Sequence, residues 1–198
     1  RFEGKRFNSP NDLTVGPDGA IWFTDPPYGL DGLDASPLKE QAVNGVYRRA
    51  ADGRVSRVER ELRFPNGIAF SPGGRTLYVS NSDPARAVIV AWDVGPGGRL
   101  SHRRIFADMT GLVRRDLPGL PDGMTVDSGG NLWATGPGGV HVFAPDGREL
   151  GLIATGAAIS NCTFGGADGR TLYMTSTHQL AALRTSVRGA PPRRAKGL

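Results

Sequence analysis

The chain has 198 residues, enough for one domain with a real core, and its net charge of +5 is local. Five of the 24 basic residues (Arg184, Arg188, Arg193, Arg194 and Lys196) fall in residues 184–198 without an acid, so the body before them carries nineteen basic and nineteen acidic side chains. That balance leaves no basic footprint for nucleic acid. No apolar run approaches the roughly 18 residues needed for a membrane span. The single cysteine, Cys162, excludes an internal disulfide and a cysteine-based zinc site, and fits a reducing compartment, with the cytoplasm favoured.

One phrase occurs four times along the chain. It runs from Asn11-Asp12-Leu13-Thr14-Val15 to Trp22-Phe23-Thr24-Asp25, then from Pro65-Asn66-Gly67-Ile68-Ala69-Phe70 to Leu77-Tyr78-Val79-Ser80. It returns from Pro121-Asp122-Gly123-Met124-Thr125-Val126 to Leu132-Trp133-Ala134-Thr135, and from Ser160-Asn161-Cys162-Thr163-Phe164 to Leu172-Tyr173-Met174-Thr175. Each copy turns on a Gly-containing tetrad such as Gly16-Pro17-Asp18-Gly19 or Ser71-Pro72-Gly73-Gly74. Gly supplies the positive φ of such turns, and Pro or Asp fixes their first half. Between the copies lie second hairpins: Gly45–Arg48 with Val55–Val58, Val90–Val94 with a strand near Arg104–Phe106, and Val140–Phe143 with Leu150–Ile153. Helical periodicity is nearly absent, and 29 Gly and 15 Pro punctuate short β-branched and aromatic runs. The fold class is therefore all-β. Strand-turn-strand repeats mean a β-propeller in residues 1–183, with three blades and the inner part of a fourth. Residues 184–198 read as a disordered basic tail or the start of a missing segment. The chain begins at Arg1 with neither an initiator Met nor a signal peptide. Because bare edge strands are a liability that propellers remove by closing, about two further blades are expected before it.

Inner strands of successive blades line one channel, so equivalent positions form a ring about its axis. The residues that open the copies, Asn11, Asn66, Asp122 and Asn161, are the candidates for it. Amide and carboxylate oxygens are hard donors that suit Ca²⁺ and not zinc or copper, although Asn and Asp before a strand also serve as plain turn formers. Long segments at Pro27–Gln41 and Met109–Pro118 have room for binding loops, and Tyr28 in the first is a candidate pocket cap. His178 is a candidate acid or base at the channel mouth, set against a satisfied loop histidine. Trp22, Trp92 and Trp133 read as packing between blades, and Cys162 as a small buried hydrophobe. No Gly-Xaa-Ser-Xaa-Gly elbow, phosphate loop or His-Glu-Xaa-Xaa-His occurs.

Ser9-Pro10-Asn11-Asp12, Pro65–Ser71 and Pro121–Asp127 together resemble the gluconolactonase family, also called the senescence marker protein/regucalcin family, over about residues 5 to 183. The resemblance implies a six-bladed propeller with a divalent metal, usually calcium, in the channel, and hydrolysis of small lactones or sugar-derived substrates. By motif, Asn66 and Asp122 match the family's metal-ligating Asn and Asp. Asn11 matches an Asn that contacts substrate or, in related diisopropyl fluorophosphatases, metal. The family's metal-ligating Glu comes from a first blade ahead of Arg1. Ser9 stands where some members place a sugar-contacting Arg. The implied chemistry is water attack on a metal-polarised carbonyl, with Asp122 as general base. A propeller scaffold without catalysis, or phosphotriester hydrolysis on the same site, are the alternatives.

Overall fold

The computed structural model describes residues 1–113 and 115–197. Its strands form four separate antiparallel sheets, each running outward from the inner strand in chain order. Blade 1 is β1 (Leu13–Val15), β2 (Ile21–Asp25), β3 (Gly45–Arg49) and β4 (Val55–Glu59). Blade 2 is β5 (Pro65–Phe70), β6 (Thr76–Asp83), β7 (Arg86–Val94) and β8 (Leu100–Asp108). Blade 3 follows a one-turn helix α1 (Thr110–Val113) and is β9 (Met124–Val126), β10 (Leu132–Gly136), β11 (Gly139–Phe143) and β12 (Glu149–Ala154). Blade 4 has three strands, β13 (Ile159–Gly165), β14 (Thr171–Ser176) and β15 (Leu180–Arg184). This is the propeller arrangement that the repeat implies, with inner strands β1, β5, β9 and β13 side by side. No helix among the described residues is long and apolar enough to cross a membrane.

The core lies between blades, because each sheet is apolar on both faces and must cover them with its neighbours. Trp22, Val46, Ile68, Phe70, Leu77, Val90 and Trp92 join blades 1 and 2, with Trp22 meeting Phe70 edge-on at 5.3 Å between centroids. Tyr78, Ile89, Met109, Met124, Leu132 and Phe143 join blades 2 and 3. Val140, Ile159, Cys162, Leu172 and Met174 join blades 3 and 4, with Trp133 against Phe164 at 5.3 Å. Each large side chain buried this way contributes about 1.5–3 kcal/mol.

The segment after β15 differs from the disordered tail that its composition suggests. Residues 185–197 cross all four blades at the end where the inner hairpins turn. Gly189 N–H bonds to Gly169 O at 2.9 Å in blade 4, and Arg188 O and Ala190 N–H bond to Ser128 and Val126 in blade 3 at 2.8 Å each. In blade 2, the Arg193 guanidinium sits 5.7 Å over the Phe70 ring and donates to Ser71 O and Pro72 O at 2.9 and 2.7 Å. Lys196 N–H reaches Gly19 O of blade 1 at 2.9 Å. Turns leave backbone carbonyls without ladder partners, and an extended Pro-containing segment can answer them whatever its charge. Leu198, also assigned to the tail, lies outside the described residues.

Blades 2 and 3 approach so closely that a Cβ on Gly67 would stand 2.1 Å from Asp122 O, whereas one on Gly73 would meet nothing within 4 Å. Gly67→Ala is therefore expected to cost about 3 kcal/mol, the upper end for overpacking, since backbone cannot step aside. Gly73→Ala is expected to change little. Chemical denaturation of the two variants checks the difference, and equal stabilities would contradict this packing.

Candidate active site

Every inner strand begins with the same irregularity: two of its residues stand against one residue of the second strand. Asn11 N–H bonds to Thr24 O while Thr24 N–H bonds to Asp12 O, both at 3.0 Å, so Asn11 and Asp12 share Thr24. Asn66 and Gly67 share Ser80, because the register slips between Pro65 paired with Asn81 and Ile68 paired with Val79. Asp122 and Gly123 share Thr135, and Ser160 and Asn161 share Thr175. A bulge of this kind bends the strand and re-aims the side chains at its start. It brings Asn11, Asn66 and Asp122 together at one end of the channel, opposite the hairpin turns.

These bulges also correct the fourth ring position. Asn161 is the second bulge residue, equivalent to Asp12, Gly67 and Gly123, and Ser160 stands where Asn11, Asn66 and Asp122 stand in the other blades. Only this register aligns Ile159-Ser160-Asn161 with Pro65-Asn66-Gly67 and Pro121-Asp122-Gly123, because blade 4 has neither the Pro nor the Gly that marks the opening in blades 2 and 3. The Asn161 side chain instead packs on Gly123, and its Oδ1 accepts from Cys162 N–H at 2.8 Å.

The contacts within the ring are direct. Asn11 Nδ2 donates to Asn66 Oδ1, and Asn66 Nδ2 donates to Ser82 Oγ at 3.0 Å. Ser82 Oγ in turn donates to Pro121 O, tying the Asn66 amide to the backbone just before Asp122. The Tyr28 ring stacks on Phe64 at 6.2 Å, and its hydroxyl donates to Phe64 O at 3.4 Å. Burial pushes the Tyr28 phenol up to about 12, against the hydrogen bonding of Ser82 and Asn66, and the Asp122 charge adds to the rise. Tyr28 therefore stays protonated at neutral pH, beside the Asn66–Ser82–Asp122 cluster. His178 is exposed in the turn between β14 and β15 and takes no part in this cluster among the described residues.

Asp122 is the electrostatic centre. Burial pushes its carboxyl up to about 7, and repulsion from Asp12 adds to the rise against hydrogen bonds from Gly123 N–H and the Asn66 side chain. Asp12 is also raised by burial, although Ile68 N–H at 3.1 Å and Leu13 N–H at 2.8 Å hold its two oxygens. It is thus a second carboxylate near the ring, missed because it follows the opening residue and does not occupy that place. Its signal is the Asn-Asp pair in blade 1, where blades 2 and 3 have Asn-Gly and Asp-Gly.

Beneath the ring lies a cavity of about 490 Å³. Residues 12–15, 68–70, 124–126 and 161–163 of the four inner strands line it, and residues 190–193 of the crossing segment close in from the turn end. Cys162 is buried here, its thiol pushed up to about 12 by burial and bonded to Trp133 O, so it is inert.

The donor set bears on a cation. Among the described residues no group of three His, Cys, Asp or Glu side chains could hold a metal. Asn11 and Asn66 add amide oxygens to the Asp122 carboxylate, and among the described residues no positive side chain contributes to Asp122's shift. An oxygen-only set around a half-buried carboxylate fits a hard divalent cation.

The SMP-30/Gluconolactonase/LRE-like region model matches residues 1–178. The chain is 46% identical over 191 residues to the gluconolactonase of Zymomonas mobilis, covering 95% of this chain and 53% of that protein. It is 31% identical over 169 residues to the pentonolactonase of Haloferax volcanii, covering 84% and 52%. The solved structure of a Xanthomonas campestris gluconolactonase superposes with a TM-score of 0.79 at 44% identity, covering 93% of this chain and 59% of that one. The chain thus spans about half the length of the curated relatives it matches. With four propeller blades and the family model matched over most of its length, the chain belongs to the SMP-30/gluconolactonase/LRE-like family.

Proposed function

We propose that the protein hydrolyses a small sugar-derived lactone at the Asn11–Asn66–Asp122 ring, with a divalent cation, calcium by choice of donors, held by Asn66, Asp122 and Asn11. The observation that carries this reading is the half-buried Asp122 carboxyl, raised to about 7 beside the Asp12 charge and the Asn66 amide, with no positive side chain among the described residues contributing to its shift. The relatives named as lactonases support it. A bound cation would supply Lewis-acid polarisation of the lactone carbonyl and countercharge for Asp122. Asp122, ionised, accepts a proton from the attacking water, and returns it to the ring oxygen as the acyl C–O bond breaks. Asn11 and Asn66 orient the carbonyl end of the substrate. Tyr28, a neutral phenol at this pH, donates toward substrate hydroxyls from its loop and limits access of bulk water. Asp12 is committed to backbone N–H groups, so it shapes the field at Asp122 without taking the proton itself.

Asp122→Asn is expected to lower lactone kcat by at least about 10²-fold, the scale of a lost general base, while the variant remains folded. Turnover at the wild-type rate by that variant would remove Asp122 from the mechanism.

Stability gives a second test. An unfolded Asp titrates near 3.9, so the raised carboxyl adds stability that is full below about pH 4 and lost as pH climbs to about 7. Without divalent ions, Asp122→Asn is expected to melt above the wild type at pH 8, the gap closing by about pH 4.5. Calcium at pH 8 is expected to raise the wild-type melting temperature and leave that of Asp122→Asn in place. Scanning calorimetry at the two pH values reads both effects, and a gap independent of pH would contradict the placement of the carboxyl.

A further inference from the structure

The second strand of each blade carries a hydroxyl two residues after its aromatic: Thr24 after Trp22, Ser80 after Tyr78, Thr135 after Trp133, and Thr175 after Tyr173. Thr24, Ser80 and Thr135 are fully buried. Each is the single residue that faces a bulge. A bulge leaves the N–H of its second residue outside the strand ladder, and that group needs an acceptor.

In blades 1 and 2 the hydroxyl supplies the acceptor and passes the bond on. Thr24 Oγ1 accepts from Asp12 N–H at 3.2 Å and donates to Asn66 O of blade 2 at 2.8 Å. Ser80 Oγ accepts from Gly67 N–H at 2.7 Å and donates to Asp122 O of blade 3 at 2.9 Å. Each hydroxyl therefore ties the backbone beside its own ring residue to the backbone of the next ring residue. The chain of hydroxyl bridges runs Asn11–Asn66–Asp122 and then stops. Gly123 N–H bonds straight to Ser160 O at 2.9 Å, bypassing Thr135, whose Oγ1 is buried without a hydrogen-bond partner. Thr175 Oγ1 donates within its own blade, to Asn161 O at 3.3 Å.

We propose that Thr24 and Ser80 are positioning residues: their inter-blade hydroxyl bridges set the spacing of Asn11, Asn66 and Asp122, and Ser80 fixes where Asp122 stands relative to Asn66. Only a hydroxyl can accept and donate at once here, so each bridge couples the bulge of one blade to the ring backbone of the next, beside the direct bonds of Ile68 N–H to Asp12 and of Ser82 Oγ to Pro121 O. The proposal rests on the reading of the ring as the catalytic and cation-binding site.

Thr135 is a built-in control, the same place in the repeat without the bridge. The experiment compares Ser80→Ala, Ser80→Thr and Thr135→Val in the whole chain, by calorimetric titration with calcium alone, lactone kinetics and thermal unfolding. Ser80→Ala is expected to weaken calcium binding about tenfold and to lower kcat about tenfold with KM changed less than about threefold, the scale of a lost supporting hydrogen bond. Ser80→Thr, the residue that blade 1 uses, is expected to recover both, and Thr135→Val to leave them unchanged. The proposal is overturned if Ser80→Ala lowers only the melting temperature, or if Thr135→Val does equal damage. Should the wild type neither bind calcium nor hydrolyse lactones, the functional reading fails alone. The bridge is then read from the side-chain amide NMR resonances of Asn11 and Asn66, which Ser80→Ala is expected to move and Thr135→Val to leave, and resonances unmoved by Ser80→Ala overturn it. If Ser80→Ala does not fold, Thr24→Val against Thr24→Ser carries the same comparison.

Discussion

Four inner strands have to lie side by side around one axis, and at the ring end the backbone of one blade meets the backbone of the next at contact distance. The Gly67–Asp122 approach is the tightest expression of that constraint, with no room for even a methyl group between blades 2 and 3. Much else depends on it. Apolar burial between blades is strong but non-directional, so by itself it would let sheets slide against each other by fractions of an ångström. Gly67 sets how near the blades come, and the hydroxyls of Thr24, Ser80 and Ser82 set how they are aligned.

That alignment places a carboxylate where it is least comfortable. Asp122 is taken partly out of water at the ring end of a channel, with Asp12 adding like charge and amides giving partial relief. The arginines of the described chain that make ion pairs do so elsewhere, as Arg48 with Asp18 and Arg184 with Asp168. Strain of this kind persists only where surrounding structure enforces it, which is why perturbed carboxyls concentrate at functional sites. The channel below is correspondingly isolated. Bulges aim polar groups at one end, while the crossing segment and its Arg193 occupy the other.

Much of this architecture is legible in the sequence because repetition amplifies weak signals. A single Asn-Gly before apolar residues is a turn, but four such openings with matching second strands and Gly-rich tetrads specify blades. The same logic brings out Asn11, Asn66 and Asp122, whose repeat positions place them on one ring. Asp12, Ser80 and Thr24 carry no comparable repeat signal for their roles. Their importance comes from partners 12 to 56 residues away, as with Ile68 N–H on Asp12 and Asp122 O on Ser80.

By itself the sequence determined the strands, their grouping into blades and the three ring residues, because periodicity and turn chemistry are local and repeat. Tertiary structure alone decided three further things. It put Ser160, not Asn161, at the fourth ring position, because bulge register depends on which backbone groups pair. It laid residues 185–197 across the turn end, because unpaired carbonyls of distant turns attract an extended segment that composition would leave free. It also raised Asp122, because burial and the nearness of Asp12 exist only once separate blades have met.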